Sequence, residues 1–92
     1  MKLSVEYWLD AFRKDFGKEP SERDADFIRY VDSIGQHFRS RGFKDAKEVK
    51  DISVEAVQKV VANHIKSDPE GAKLLAEIFY EYYKEGSREA AE

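Results

Sequence analysis

The chain has 92 residues, 41% of them hydrophobic and 38% charged, with a formal net charge of −3. This length allows one modest core and excludes a deep, walled active site. The absence of cysteine excludes disulfides, thiolate catalysis and cysteine-ligated zinc. No apolar run approaches the roughly 20 residues that span a bilayer, and no signal-peptide core follows the first methionine. We therefore expect a cytoplasmic protein that forms one domain and does not enter a membrane.

The charge is unevenly distributed along the chain. Residues 1–66 contain 13 Lys and Arg against 12 Asp and Glu, whereas residues 67–92 contain 3 against 7. The last third therefore supplies the acidity, and the first two thirds leave room for a basic face.

The spacing of apolar residues predicts an all-α chain, with four main helices and one short helix. The first helix runs from Ser4 to Phe16, and Gly17 and Pro20 end it. Its apolar stripe has the spacing of one helical face and comprises Val5, Trp8, Leu9, Phe12 and Phe16.

Ser21 is the expected N-cap of the second helix. Gly42 fits the left-handed position after a helix, and Phe38 and Phe43 have the spacing of a Schellman contact, so we expect this helix to end there. Its stripe consists of Phe27, Ile28, Val31, Ile34 and Phe38.

The remaining elements follow from capping signals. Residues 45–50 predict the short helix, and Ser53 the N-cap of the next one. Ser67 or Asp68 caps the last helix, which Gly86 ends. The expected domain covers residues 1–86, and residues 87–92 form a polar, frayed tail. The inner faces of these two helices comprise Val57, Val60, Val61 and Ile65, then Ala72, Leu75, Ile78, Phe79 and Tyr82.

Residues that could support catalysis do not form a recognisable set. His37 and His64 lie in different helices and have no third ligand at metal spacing. No glycine-rich phosphate loop is present. We therefore expect neither enzymatic activity nor a metal or cofactor.

Two features point instead to binding. Tyr80 and Tyr83 face away from the inner side of the last helix, so they are either half-buried or part of an exposed contact patch. Lys and Arg side chains gather at the end of the second helix and around the first turn. They suit contacts with DNA phosphates, although an ordinary solvated surface has the same composition. These residues are Arg39, Arg41, Lys44, Lys47 and Lys50, then Arg13, Lys14 and Arg23.

The order of these elements resembles the SAM-like N-terminal core-binding domain of tyrosine recombinases and phage integrases. The resemblance covers nearly the whole chain. It rests on the cap at Ser21, the helix end Phe38-Arg39-Ser40-Arg41-Gly42-Phe43, the segment Asp45-Ala46-Lys47-Glu48-Val49 before Asp51-Ile52-Ser53-Val54-Glu55-Ala56-Val57, and the closing helix Ile78-Phe79-Tyr80-Glu81-Tyr82-Tyr83-Lys84-Glu85-Gly86.

This resemblance implies a helical bundle that contacts duplex DNA and adds Lys73, in the first turn of the last helix, to the contact residues. The family's catalytic domain has no counterpart here, so strand cleavage is not expected. The expected function is a non-enzymatic module that binds double-stranded DNA through a basic half. The alternative is a helical module for protein–protein interaction or homodimerisation.

Overall fold

The computed structural model of the protein describes residues 2–92, which form four α-helices and contain no strand. The helices are α1 (Val5–Phe16), α2 (Glu22–Lys47), α3 (Val54–His64) and α4 (Pro69–Ala91). The all-α prediction is confirmed. The short fifth helix is wrong, because residues 45–47 are the last turn of α2.

The chain divides into two units within α2. The N-terminal unit extends to Ile34 and contains α1 and the first half of α2. The C-terminal unit begins at Gly35 and contains the second half of α2, α3 and α4.

The helix starts are where local sequence places them. The hydroxyl of Ser4 accepts from the amide of Tyr7 at 3.2 Å, and that of Ser53 accepts from Ala56 at 3.2 Å. Ser21 and Asp24 cap each other, since the Asp24 amide donates to the Ser21 hydroxyl at 3.1 Å and the Ser21 amide donates to the Asp24 carboxylate at 3.2 Å. Each of these bonds satisfies an amide that the helix leaves unpaired.

Asp68, one of the two residues expected to cap the last helix, is its N-cap. Its carboxylate accepts from the amide of Gly71 at 3.0 Å. Pro69 follows as the first residue of α4, where the absence of an N–H has no cost.

The expected ends at Gly42 and Gly86 are both wrong, because α2 and α4 run through these glycines. A Cβ added at Gly42 would overlap the backbone carbonyl of Tyr83, and one added at Gly86 would overlap the carbonyl of Arg39. The two glycines therefore let the backbones of α2 and α4 approach each other, and neither terminates its helix. Residues 87–91 accordingly belong to α4 and are not a frayed tail.

The actual end of α2 is Lys47, five residues beyond Gly42. The Lys50 amide donates to the Asp45 carbonyl at 2.7 Å, and the Val49 amide donates to the Ala46 carbonyl at 3.2 Å. This is the hydrogen-bond pattern of a Schellman motif, with Val49 in the left-handed position at φ 55°. A β-branched residue is disfavoured in this conformation, so sequence reasoning placed the motif at the nearest glycine instead.

The core of the C-terminal unit forms where α3 and the second half of α2 meet α4. Val57 and Val61 of α3 are buried, as are Phe79 and Tyr82 of α4. The Phe38 ring of α2 stacks on Phe79 with centroids 5.2 Å apart. These inner-face predictions are confirmed, whereas Val60 is 51% exposed.

We predict that Gly42→Ala destabilises the protein by about 2–3 kcal/mol, because the added methyl group forces two helix backbones apart. Helix propensity alone predicts the opposite sign, a gain of about 1 kcal/mol. Urea unfolding measures the change. Ser40→Ala, at an exposed position of the same helix, is the control and should not destabilise. A Gly42→Ala protein as stable as the parent would contradict the close approach of the α2 and α4 backbones at Gly42.

We predict that Val49→Gly stabilises the protein by about 0.5–1 kcal/mol. A residue with a Cβ in the left-handed conformation costs about 1–2 kcal/mol, and glycine removes this cost. The greater conformational freedom of glycine in the unfolded chain offsets part of the gain. Val49 is 94% exposed, so little packing is lost. Thermal unfolding tests the change against Val60→Gly, in the middle of α3, which should destabilise. A lower melting temperature for Val49→Gly would rule out the strained helix end.

Candidate functional site

Arg39 was expected on the DNA-facing surface, but the structure places it inside the C-terminal unit, 9% exposed. Its guanidinium pairs with Glu85, and its Nε lies 2.9 Å from Glu89 Oε1. Its Nη1 donates to Gln36 Oε1 at 2.8 Å. Both acidic partners lie on α4, so Arg39 is not available for phosphate contacts.

Four more of the expected cations pair with acids near them in sequence. In the C-terminal unit, Arg41 lies 3.3 Å from Asp45, and Lys50 lies 3.3 Å from Glu48. In the N-terminal unit the pairs are Arg13 with Glu19 at 2.9 Å and Lys14 with Asp10 at 3.1 Å.

The other expected cations have no ion pair with any residue from 2 to 92. They are Arg23, Lys44, Lys47 and Lys73. Lys47 places its ammonium 4.6 Å from the centre of the Phe43 ring, which is a cation–π contact.

The end of α2 is therefore close to neutral. Its cleft of about 470 Å³ is lined by three cations and three carboxylates, together with Ile52. The cations are Arg41, Lys44 and Lys50, and the carboxylates are Asp45, Glu48 and Asp51. Such a mixed cleft offers a polyanion little net attraction.

Tyr83, expected to be half-buried or exposed, is 1% exposed. Its hydroxyl donates to Asp45 Oδ2 at 2.7 Å. Burial, followed by this hydrogen bond, raises the pKa of Tyr83 to about 12, and the bond lowers the pKa of Asp45. Tyr80 is half-buried, with its ring stacked on that of Tyr83 at 6.2 Å and the Lys84 ammonium over it. The tyrosine pair is thus part of the packing of the C-terminal unit.

Neither histidine belongs to a cluster of potential metal ligands in the described part of the chain. Among residues 2–92, no three His, Cys, Asp or Glu side chains are placed to hold a metal ion. His64 Nδ1 is 2.9 Å from the Val60 carbonyl of its own helix. Within the same residues, every helix is too short or too polar to cross a bilayer.

The N-terminal unit contains the largest departure from the predicted core. No residue of α1 is buried, although its stripe was expected to pack inward. Phe16 and Tyr30 are each 64% exposed, and Phe27 is 56% exposed. Phe27 and Tyr30 are three residues apart and so lie on one side of α2. We call the side of α2 that carries Phe27 and Tyr30, together with the exposed Phe16 at the end of α1, the aromatic face.

Charges near the aromatic face are compensated locally. In addition to the pairs of Arg13 and Lys14, Arg29 pairs with Asp26 on the same turn of α2. The exposed aromatic rings are therefore accompanied by ion pairs rather than by a run of one sign. Sequence reasoning missed this surface because Phe16 and Phe27 fit an inward stripe equally well.

No family model matches the chain, and neither a curated protein nor a solved structure matches it. The resemblance to a recombinase core-binding domain therefore stays a prediction.

We predict that the buried Tyr83 hydroxyl makes stability depend on alkaline pH. Because its folded pKa is raised, its contribution is complete below the ordinary tyrosine value of 10.0 and is lost as pH rises through about 12. Urea unfolding at about pH 8 and about pH 11 measures this loss. At the lower pH, Tyr83→Phe should be less stable than the parent. Its free energy of unfolding should fall less than that of the parent between the two pH values. An equal loss of stability at alkaline pH in the parent and in Tyr83→Phe would contradict the assignment of this loss to the Tyr83 hydroxyl.

Proposed function

We propose that this protein is a non-enzymatic helical interaction module that pairs with a second copy of itself through the aromatic face. The observation that carries the proposal is the exposure of Phe16, Phe27 and Tyr30, each more than half accessible. Exposed apolar patches on folded proteins mark interaction surfaces. Aromatic side chains are also the residues that most often supply binding energy at the centre of an interface.

The energetic gain from covering this face is substantial. Burying one large apolar side chain is worth about 1.5–3 kcal/mol. A symmetric pair buries each residue twice, once in each copy, because a two-fold interface uses the same patch on both subunits. Three aromatic residues per copy therefore form a sufficient anchor, provided that surrounding contacts exclude water.

A second copy fits the electrostatics of the face. Three ion pairs of the N-terminal unit compensate six of its charges. A strongly charged partner would gain little there, whereas an identical surface brings matching apolar area without strong repulsion. The interface expected from the sequence at Tyr80 and Tyr83 is replaced by this one, because Tyr83 is buried.

DNA binding stays a prediction with less support. Five of the nine expected contact residues pair with carboxylates of the same chain: Arg39, Arg41, Lys50, Arg13 and Lys14. Replacing such a pair by a phosphate contact gains little, because the cation exchanges one anion for another.

We predict a dimer in solution that dissociates in the double variant Phe27→Glu/Tyr30→Glu. Two carboxylates per copy would have to be buried against each other, which is strongly unfavourable. Light scattering after size exclusion gives the mass of parent and variant. Circular dichroism should show unchanged helix content, because both side chains are exposed in the single chain.

Leu74→Glu is the matched control, since Leu74 is also exposed, at 63%, but lies in the C-terminal unit. It should remain dimeric. A parent protein that is monomeric at its highest soluble concentration would overturn the proposal, and so would equal dissociation by Leu74→Glu. Titration of a labelled mixed-sequence duplex at two salt concentrations addresses DNA: salt-dependent binding that Lys44→Gln weakens would favour the DNA prediction instead.

A further inference from the structure

A second surface lies in the C-terminal unit, where α3 ends and α4 begins. A groove of about 490 Å³ is present there, and we call it the lysine groove. It is lined by Gln58, Ala62, Ile65, Lys66, Pro69, Ala72 and Lys73. Its residues come from α3, the short connection after it and the first turn of α4.

The lysine groove combines an apolar floor with two cations on its rim. Ala62, Ile65, Pro69 and Ala72 supply the floor, and Ala72 is buried. Lys66 and Lys73 are exposed, and neither forms an ion pair with a carboxylate among residues 2–92. No acidic side chain lines the groove.

Asp68 lies between the two lysines in sequence but is not among the lining residues of the groove. Asp68 caps α4 through its bond with the amide of Gly71. Its carboxylate offsets the positive end of the α4 dipole, so the positive charge of the groove comes from the two lysines alone. By comparison, the cleft at the end of α2 carries three carboxylates among its lining residues and is balanced.

We infer that the lysine groove docks an acidic peptide segment that also carries apolar side chains. Charge complementarity identifies the acidic part, since Lys66 and Lys73 are cations without an internal partner. The floor identifies the apolar part, because aliphatic side chains of a bound segment would remove Ala62, Ile65 and Pro69 from water. This combination is the recognition mode of an amphipathic segment in a groove.

A nucleic-acid phosphate chain fits this site less well. It would satisfy the two lysines but would leave the apolar floor without a matching group. Lys73 was expected to contact DNA, and the groove gives it a different role. This inference does not rest on self-association, because its residues are separate from the aromatic face and belong to the other unit.

The test uses the full chain and a fluorescein-labelled peptide in which glutamates and leucines recur at helical spacing. We expect fluorescence anisotropy to report binding that weakens as salt is raised, since rim charges are screened. Lys66→Gln/Lys73→Gln should weaken it by about tenfold, which corresponds to two exposed ion pairs. Ala62→Glu should weaken it further by placing a carboxylate on the exposed edge of the floor.

Lys44→Gln/Lys47→Gln is the matched control, because it removes the same charge from the end of α2. It should leave peptide affinity unchanged. No binding at low salt, or equal loss in both lysine pairs, would overturn the inference. Tighter binding of a labelled duplex than of the peptide, lost in Lys66→Gln/Lys73→Gln, would assign the groove to phosphate instead. Light scattering on the same samples reports self-association separately.

Discussion

The close approach of α2 and α4 in the C-terminal unit is the constraint on which the rest of that unit depends. At Gly42 and Gly86 a side chain on either helix would meet the backbone of the other. Two helices in such contact have little freedom to slide, because neighbouring side chains interlock on both sides of the contact. Gly35 lies two turns before Gly42 on the same face of α2, and a Cβ added there would overlap the ring of Tyr82.

This approach determines which charges remain at the surface. Arg39 and Asp45 lie three residues before and three residues after Gly42 in α2. Arg39 forms an ion pair with Glu85 of α4, and Asp45 accepts a hydrogen bond from the Tyr83 hydroxyl. Burying an ion pair gains little net stability, but leaving one partner unpaired is very costly. The polar contacts therefore specify the alignment of the two helices more than they add to stability. The same contacts remove Arg39 and Glu85 from any binding surface.

Local signals predicted the local features of this fold. The caps at Ser4, Ser21 and Ser53 depend on side chains three residues away, so sequence was sufficient for them. The glycines were misread because a helix-ending glycine and a helix-packing glycine have the same sequence neighbours. Only the opposite helix distinguishes them.

The candidate sites could be predicted only in part, for a related reason. The pairing of Arg41 with Asp45 follows helical spacing and was open to sequence reasoning. Arg39 and Glu85 meet only through the tertiary contact. The exposure of Phe27 is likewise a tertiary outcome, since its position fits the apolar stripe of α2. Periodicity indicates that a face is apolar but does not indicate what covers it.

The two units differ in how many of their apolar side chains are buried. The C-terminal unit buries valines, alanines and aromatic rings within itself. Among residues 2–34, only Val31 is buried, and the rings of Phe16, Phe27 and Tyr30 remain exposed. Anything that binds the folded form alone stabilises it by mass action. Covering the aromatic face would therefore add more to the stability of the N-terminal unit than to that of the C-terminal one, without being needed for its helices to form.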